Sequence, residues 1–177
     1  VQYFKQMQVK LFKAEKINTH GGSIRIFISK NKNIKIEKSI KELLDEEEKF
    51  GIKQFKTYKN FGKKVYKIRD NVIKNLKKLK IKNESIVGYG APAKATTALN
   101  FFGISKEIDY IVEDNKLKHR KFVPGVKIPI FSKQKISKRK PLVLVLAWNF
   151  YKEIKKDNSK IAKQFVNIKS LETEEFI

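Results

Sequence analysis

From residue 84 onward, short aliphatic runs alternate with stretches of helical periodicity, and this alternation constrains the fold more than any other feature of the chain. Glu84 to Gly88 reads as a strand, Ala93 to Phe102 as a helix, and Glu107 to Val112 as a strand. Leu142 to Ala147 reads as a strand, Tyr151 to Lys163 as a helix, and Gln164 to Ile168 as a last strand. The continuous apolar run Pro141-Leu-Val-Leu-Val-Leu-Ala-Trp148 suits a strand buried on both faces. Strands separated by single helices pair in parallel, because the helix carries the chain back to the end of the sheet where it started. The expected class is therefore α/β, with a parallel sheet and flanking helices over residues 81–177. Between Lys116 and Lys140 the pattern is irregular, with turns at Pro124-Gly125 and Pro129.

The first eighty residues read differently. Val9 to Glu15 alternates as a strand, and Gly22 to Ser29 sets Ile24, Ile26 and Ile28 on one face at period two. Thr19-His-Gly-Gly22 joins them as a turn, since glycine accepts positive φ at little cost. The expected hairpin, within residues 1–36, is of a kind that closes the edge of another sheet. Residues 37–80 read as helical. Ser39 to Phe50 carries Ile40, Leu43 and Leu44 at helical spacing, with Asp45-Glu-Glu-Glu48 exposed and Gly51 as the stop. Phe55, Tyr58, Phe61, Val65, Ile68, Val72, Leu76 and Leu79 then mark one long amphipathic helix. The chain opens on Val1 and has its only Met at position 7, which suggests a piece of a longer polypeptide.

Composition narrows the function classes. There is no Cys, so disulfides and thiolate-held metals are excluded. No apolar run approaches the ~20 residues that span a bilayer, no secretory signal is visible at the start, and the expected location is cytoplasmic. The formal charge of +23 points toward polyanions. Only four of the 41 basic residues are Arg, however, and the Lys are spread over every segment. Base-specific readers favour the bidentate fork of Arg. Abundant Lys, Ile, Asn and Phe fit a genome rich in A and T, so no specific nucleic-acid partner is expected.

The sharpest local motif is Val87-Gly-Tyr-Gly-Ala-Pro-Ala-Lys-Ala-Thr-Thr97, a tight turn of small residues between a strand and a helix. Such a turn presents backbone N–H groups and the positive helix end at a strand tip, where an anion binds. Gly88 and Gly90 shape the turn. Gly90, Ala93, Lys94 and Thr96 are the candidate phosphate contacts, although a ligand-free turn has the same appearance. The motif is neither a Walker loop nor a full Gly-x-Gly-x-x-Gly. Asp114 follows the second strand, where an acid can hold a ribose hydroxyl or simply be solvated. Trp148 and Asn149 follow the third strand, as a platform for a base or sugar, or as a core aromatic and a helix cap. His20 is a catalytic candidate by its titration range and a turn residue by its neighbours. His119, in a Lys/Arg-rich loop, reads as solvated.

Taken together and in order, His20-Gly-Gly-Ser-Ile-Arg25, Gly88-Tyr-Gly-Ala-Pro-Ala-Lys94, Val112-Glu-Asp-Asn115, Pro124-Gly-Val-Lys-Ile-Pro129 and Ala147-Trp-Asn149 with Glu153-Ile154 resemble one family. It is the carboxy-terminal domain of the C-methyltransferases, dependent on S-adenosylmethionine (SAM), that act on nucleotide-linked deoxysugars. The resemblance covers nearly the whole chain. It implies a Rossmann-like domain that binds the nucleotide-sugar, with SAM bound by a domain upstream and zinc held only in a further amino-terminal domain. No tightly bound cofactor is then expected in this chain, and no methyl transfer by this chain alone. The family's Tyr-Asp-Glu-His stretch would lie before Val1. His20, Gly21, Gly22, Ser23 and Arg25 are expected at the cleft, with Arg25 suited to fork a phosphate. One departure stands out: where the family usually has Lys-Gly-Asn-Thr, this chain has Lys94-Ala-Thr-Thr97. The competing reading is a Rossmann-like dinucleotide- or CoA-binding module with a redox or sensing role, against which the missing third glycine counts.

The charge argument has a direct test. Lys-only contacts give phosphate affinity without base readout. DNA binding, followed by anisotropy against salt, is expected to be weak, sequence-independent and gone near physiological ionic strength. Sequence-selective binding that survives there would contradict the compositional account.

Overall fold

A computed structural model describes residues 1–136, 140–174 and 176 of the chain, with the side chain of His20 also outside the described set. These residues fall into two compact units, Val1–Lys63 and Lys64–Ile177.

In the first unit a short helix α1 (Gln2–Gln6) precedes two antiparallel strands, β1 (Lys10–Ile17) and β2 (Ser23–Ser29), with a register shift between Leu11 and Lys13. Their connection is the expected turn. A single 3₁₀ turn spans Thr19–Gly21, and Gly21 and Gly22 take φ of +90° and +120°, values costly for any residue with a Cβ. Helix α2 (Lys38–Phe50) packs against β1, where Ala14 and Ile40 are buried and the Ala14 N–H donates to Ser39 Oγ at 3.2 Å. Gly51 ends it in the left-handed region, its N–H reaching the carbonyls of Glu47 and Glu48. Ile24, Ile26 and Ile28 share a face, as their period requires, and each stays about half exposed.

Helix α3 (Phe55–Lys82) runs through the division between the units. Its apolar stripe is used unevenly. Phe55, Tyr58 and Phe61 are exposed, whereas Val72, Leu76 and Leu79 are buried in the core of the second unit. Every fourth residue along this half also holds the carboxy-terminal segment. Lys67 pairs with Glu174 at 2.6 Å, and the Asn71 amide donates to the Glu172 carbonyl at 2.9 Å. The buried Asn75 donates to the carbonyls of Leu171 and Thr173 at 3.0 and 2.9 Å.

The second unit is built on a five-stranded parallel sheet in the order β5-β4-β3-β6-β7. The strands are β3 (Ile86–Tyr89), β4 (Tyr110–Val112), β5 (Ile130–Phe131), β6 (Leu142–Val145) and β7 (Gln164–Asn167). The sequence order thus starts at the centre, runs to one edge, and returns to the centre to build the other side. Helix α4 (Ala93–Phe102) follows β3, and α5 (Tyr151–Asp157) follows β6. Alternate strand residues face opposite layers. Ile86, Ile111, Leu142 and Leu144 pack with α3 and α4, while Val87, Tyr89, Val143 and Val145 pack with Tyr151 and Ile154 of α5. This is the Rossmann-like arrangement expected from the sequence.

Helix α1 was not anticipated, β4 begins at Tyr110 rather than Glu107, and two further details differ from the sequence expectation. Strand β5 was not anticipated, because two residues are too few to show a period. Helix α5 ends at Asp157 rather than Lys163. Asn158 is buried there and turns its amide back onto the Ile154 carbonyl at 3.0 Å, a local bond that competes with further helix.

The glycines give a stability test with opposite signs. A Cβ on Gly88 would lie 2.7 Å from Ile111 Cγ1 and 3.0 Å from Leu146 Cδ1, both on fully buried side chains. Gly62, inside α3, has nothing within 4 Å of the same position. Gly88→Ala is expected to destabilise the protein by about 1–3 kcal/mol, the usual cost of overpacking. Gly62→Ala should stabilise by about 0.5–1 kcal/mol, the helix propensity difference. Urea unfolding of the two variants measures both signs.

Candidate functional site

In an open parallel sheet, ligands bind beyond the carboxyl ends of the strands where the strand order reverses. Here that point lies between β3 and β6, and a crevice of about 390 Å³ opens at it. Its floor is the turn after β3. The Gly90 N–H donates to the Val112 carbonyl at 2.8 Å, which ties the turn to the end of β4. Gly90 has φ +87°, and a Cβ there would meet the Ala147 Cβ at 2.8 Å. The glycine is therefore required by the chain's own backbone and packing, whatever ligand the turn accepts.

The Glu113 carboxylate occupies the next amide. Its Oε2 accepts from the Ala91 N–H at 2.8 Å and its Oε1 from the Asn115 N–H at 3.1 Å. Lys118 bridges the same pair of segments, with Nζ 2.9 Å from the Ala91 carbonyl and 3.6 Å from Glu113 Oε2. The Glu113 side chain is only 14% exposed. Burial, the largest single influence, pushes its carboxyl up, but the N–H groups of Ala91, Asn115 and Asp114 together with Lys118 outweigh it and hold the group below the ordinary glutamate value. His119, expected to be solvated, is half-buried, with Nε2 2.7 Å from the Glu113 carbonyl.

The crevice walls come from β3, β4 and α5. Tyr89 is 3% exposed, and its hydroxyl donates to Asp114 Oδ2 at 2.8 Å. Burial foremost, then the Asp114 carboxylate, raises the Tyr89 phenol well above its ordinary range, so it remains a neutral donor. Asp114 keeps an exposed carboxylate, paired on its other oxygen with Lys133 at 3.3 Å. Helix α5 presents Glu153 and Asp157 to the same space. Among the described residues, four acidic side chains, Glu113, Asp114, Glu153 and Asp157, thus line this crevice with one basic side chain, Lys118.

The candidates from sequence are distributed over more than one place. Gly90 and Asp114 line the crevice. Lys94 and Trp148 meet instead in a separate, largely apolar groove of about 410 Å³ with Val65, Ile68 and Phe101. Trp148 also packs against the buried cluster, as the core alternative of its sequence reading expects. Ala93 opens α4 and Thr96 is half-buried in its first turn. Asn149 is exposed in a 3₁₀ turn, and Gly88 lies within β3. In the other unit, His20 and Gly21 form the hairpin turn with Gly22 beside them, and Ser23 Oγ donates to the Thr19 carbonyl at 3.1 Å. Arg25 is exposed on β2, with Nη1 3.9 Å from Glu15.

Sequence reasoning did not nominate Tyr89, Glu113, Lys118 or the α5 acids. Glu113 stood beside Asp114 in the same motif, and only the geometry after β4 tells which of the two turns onto the loop. Lys118 was hidden among many lysines. Among the described residues no group of three or more His, Cys, Asp or Glu is arranged to hold a metal. No described helix is long and apolar enough to cross a membrane.

Comparison with known proteins agrees with this architecture. The chain is 30% identical over 140 residues to C-methyltransferase NovU of Streptomyces niveus, an alignment covering 77% of this chain and 33% of that protein. The chain thus spans about a third of the length of the relative it matches. Residues 18–168 match the family model described as the C-methyltransferase C-terminal domain. Hairpin turn, glycine turn and crevice all fall within that match, and the chain belongs to the C-methyltransferase C-terminal domain family.

Proposed function

We propose that this chain is the domain of a SAM-dependent C-methyltransferase that holds a nucleotide-linked sugar and presents it for methylation. The observation that carries the reading is the crevice at the reversal of strand order, lined by residues of the family match. The hairpin of residues 1–36 is read as the junction with a SAM-binding domain, and residues 37–80 as the helical connection to the sugar-holding domain.

In the chemistry proposed for the whole enzyme, a base removes an acidic C–H beside a keto group. The resulting enolate attacks the sulfonium methyl, and S-adenosylhomocysteine departs. The present chain contributes binding and orientation. Lys94 and the first turn of α4, with Ala93 and Thr96, are the proposed phosphate contacts, and Trp148 and Asn149 the contacts for base or sugar. Asp114, with its exposed carboxylate, suits a ribose or sugar hydroxyl. His20, Gly21, Gly22, Ser23 and Arg25 are proposed to border the cleft on the side of the methyl donor.

Calorimetry on the purified chain tests the division of labour. A panel of nucleoside-diphosphate hexoses should include a ligand that binds, while SAM should give no heat; micromolar SAM binding would refute the assignment of the donor to another domain. Lys94→Ala is expected to weaken the nucleotide-sugar by ~1.5–3 kcal/mol, the range for hydrogen bonds to charged groups. That corresponds to about ten- to a hundredfold in affinity. Arg at position 94 should restore charge without restoring full affinity, since a planar fork replaces a compact ammonium. Unchanged binding by Lys94→Ala would move the phosphate site away from this helix turn.

A further inference from the structure

The turn after β3 has the form of an anion-binding loop, yet its amides are already spent. The Gly90 N–H is taken by the Val112 carbonyl, the Ala91 N–H by the Glu113 carboxylate at 2.8 Å, and Pro92 has no N–H to offer. Glu113 stands where the oxygen of a bound phosphate would stand, and Lys118 neutralises it from 3.6 Å as a cation would a phosphate. Around it the crevice carries Asp114, Glu153 and Asp157. A second anion entering this space would find the amides of Gly90 and Ala91 already taken and would face carboxylates from the end of β4 and from α5. Hydroxyl groups would find the reverse: acceptors on both walls and a partner in the Tyr89–Asp114 pair.

We infer that Glu113 is a specificity-determining residue, a built-in anion that excludes phosphate from the loop so that the crevice takes the uncharged, hydroxyl-bearing part of the ligand. The inference deepens the proposed function by orienting the ligand. The sugar or ribose hydroxyls lie in the acid-lined crevice and the phosphates lie outside it.

Amide NMR of the full chain with inorganic pyrophosphate as probe tests this without requiring knowledge of the natural ligand. In the unaltered protein the Ala91 amide should stay unmoved through the titration. Glu113→Gln, which keeps the shape and removes the charge, should bind pyrophosphate about tenfold tighter or more, with the Ala91 amide as a saturable reporter. Glu113→Ser serves as a second variant if the first does not fold. The double variant Glu153→Gln/Asp157→Asn, altered only on the α5 wall, should leave the Ala91 amide silent, which separates Glu113 from a general effect of acidic charge. The idea is overturned if pyrophosphate moves the Ala91 amide equally in the unaltered protein, or if neither Glu113 variant gains affinity. Failure of every nucleotide-sugar to bind would sink the proposed function while leaving this contrast intact.

Discussion

The second unit depends on the close parallel pairing of β3 with β6 at the centre of its sheet. Ile86 to Tyr89 lie opposite Leu142 to Val145, and nearly every residue in both strands is fully buried. Backbone groups at such depth need partners within the sheet, because no water reaches them. The pairing continues past the strands, where the N–H groups of Leu146 and Ala147 both approach the Tyr89 carbonyl. Only glycine fits at 88, between Ile111 and Leu146, and only glycine fits at 90, against Ala147. The crevice therefore has a fixed floor, set by packing before any ligand arrives.

Charge is distributed against the average of the molecule. A chain with a net charge of +23 would be expected to surround any pocket with lysine, yet the crevice is lined by acids. Lysines scattered over exposed faces act mainly through a screened long-range field, which draws anions toward the protein as a whole. Local recognition follows from the few groups within hydrogen-bonding distance. Attraction and selection are thus separable here. The surface charge favours encounter with a phosphorylated ligand, while the crevice carboxylates favour its hydroxyls.

The sequence made the architecture legible where its periods were long. The hairpin, α2, α3, α4 and the strands at 86, 142 and 164 were readable because apolar residues repeat at spacings of two or of three and four. Strand β5 was not, since Ile130 and Phe131 join the sheet through pairing with Ile111 and Val112 rather than through any pattern of their own. The end of α5 depended on one buried Asn158, whose burial no local pattern announces. At the candidate site the position of the glycine turn was readable, but its occupancy was not. A strand tip followed by small residues and a helix implies exposed amides. Whether a nearby carboxylate already sits on them is decided by the fold, which brings Glu113 across from β4 over a separation of 22 residues.

The same distinction bears on the one clear departure from the resembling family's pattern. Where that family usually has Gly and Asn after the loop lysine, this chain has Ala95 and Thr96. Ala95 is buried, in one cluster with Leu99, Leu76 and Leu144, so it faces the core rather than any ligand. An alanine there fills space under α4 and gains about 1 kcal/mol of helix propensity over glycine. Much of that gain comes from narrowing the backbone freedom of the unfolded chain. The change at 95 is therefore a packing change with an indirect effect on the loop: it fixes more firmly the turn from which Lys94 projects. Thr96, half-buried, loses the carboxamide of Asn and keeps one hydroxyl, and is the member of the pair with a path to altered ligand contacts. A loop held by Glu113 on one side and by Ala95 from beneath has little freedom to remodel around a ligand, so what it accepts is decided by the groups already in place.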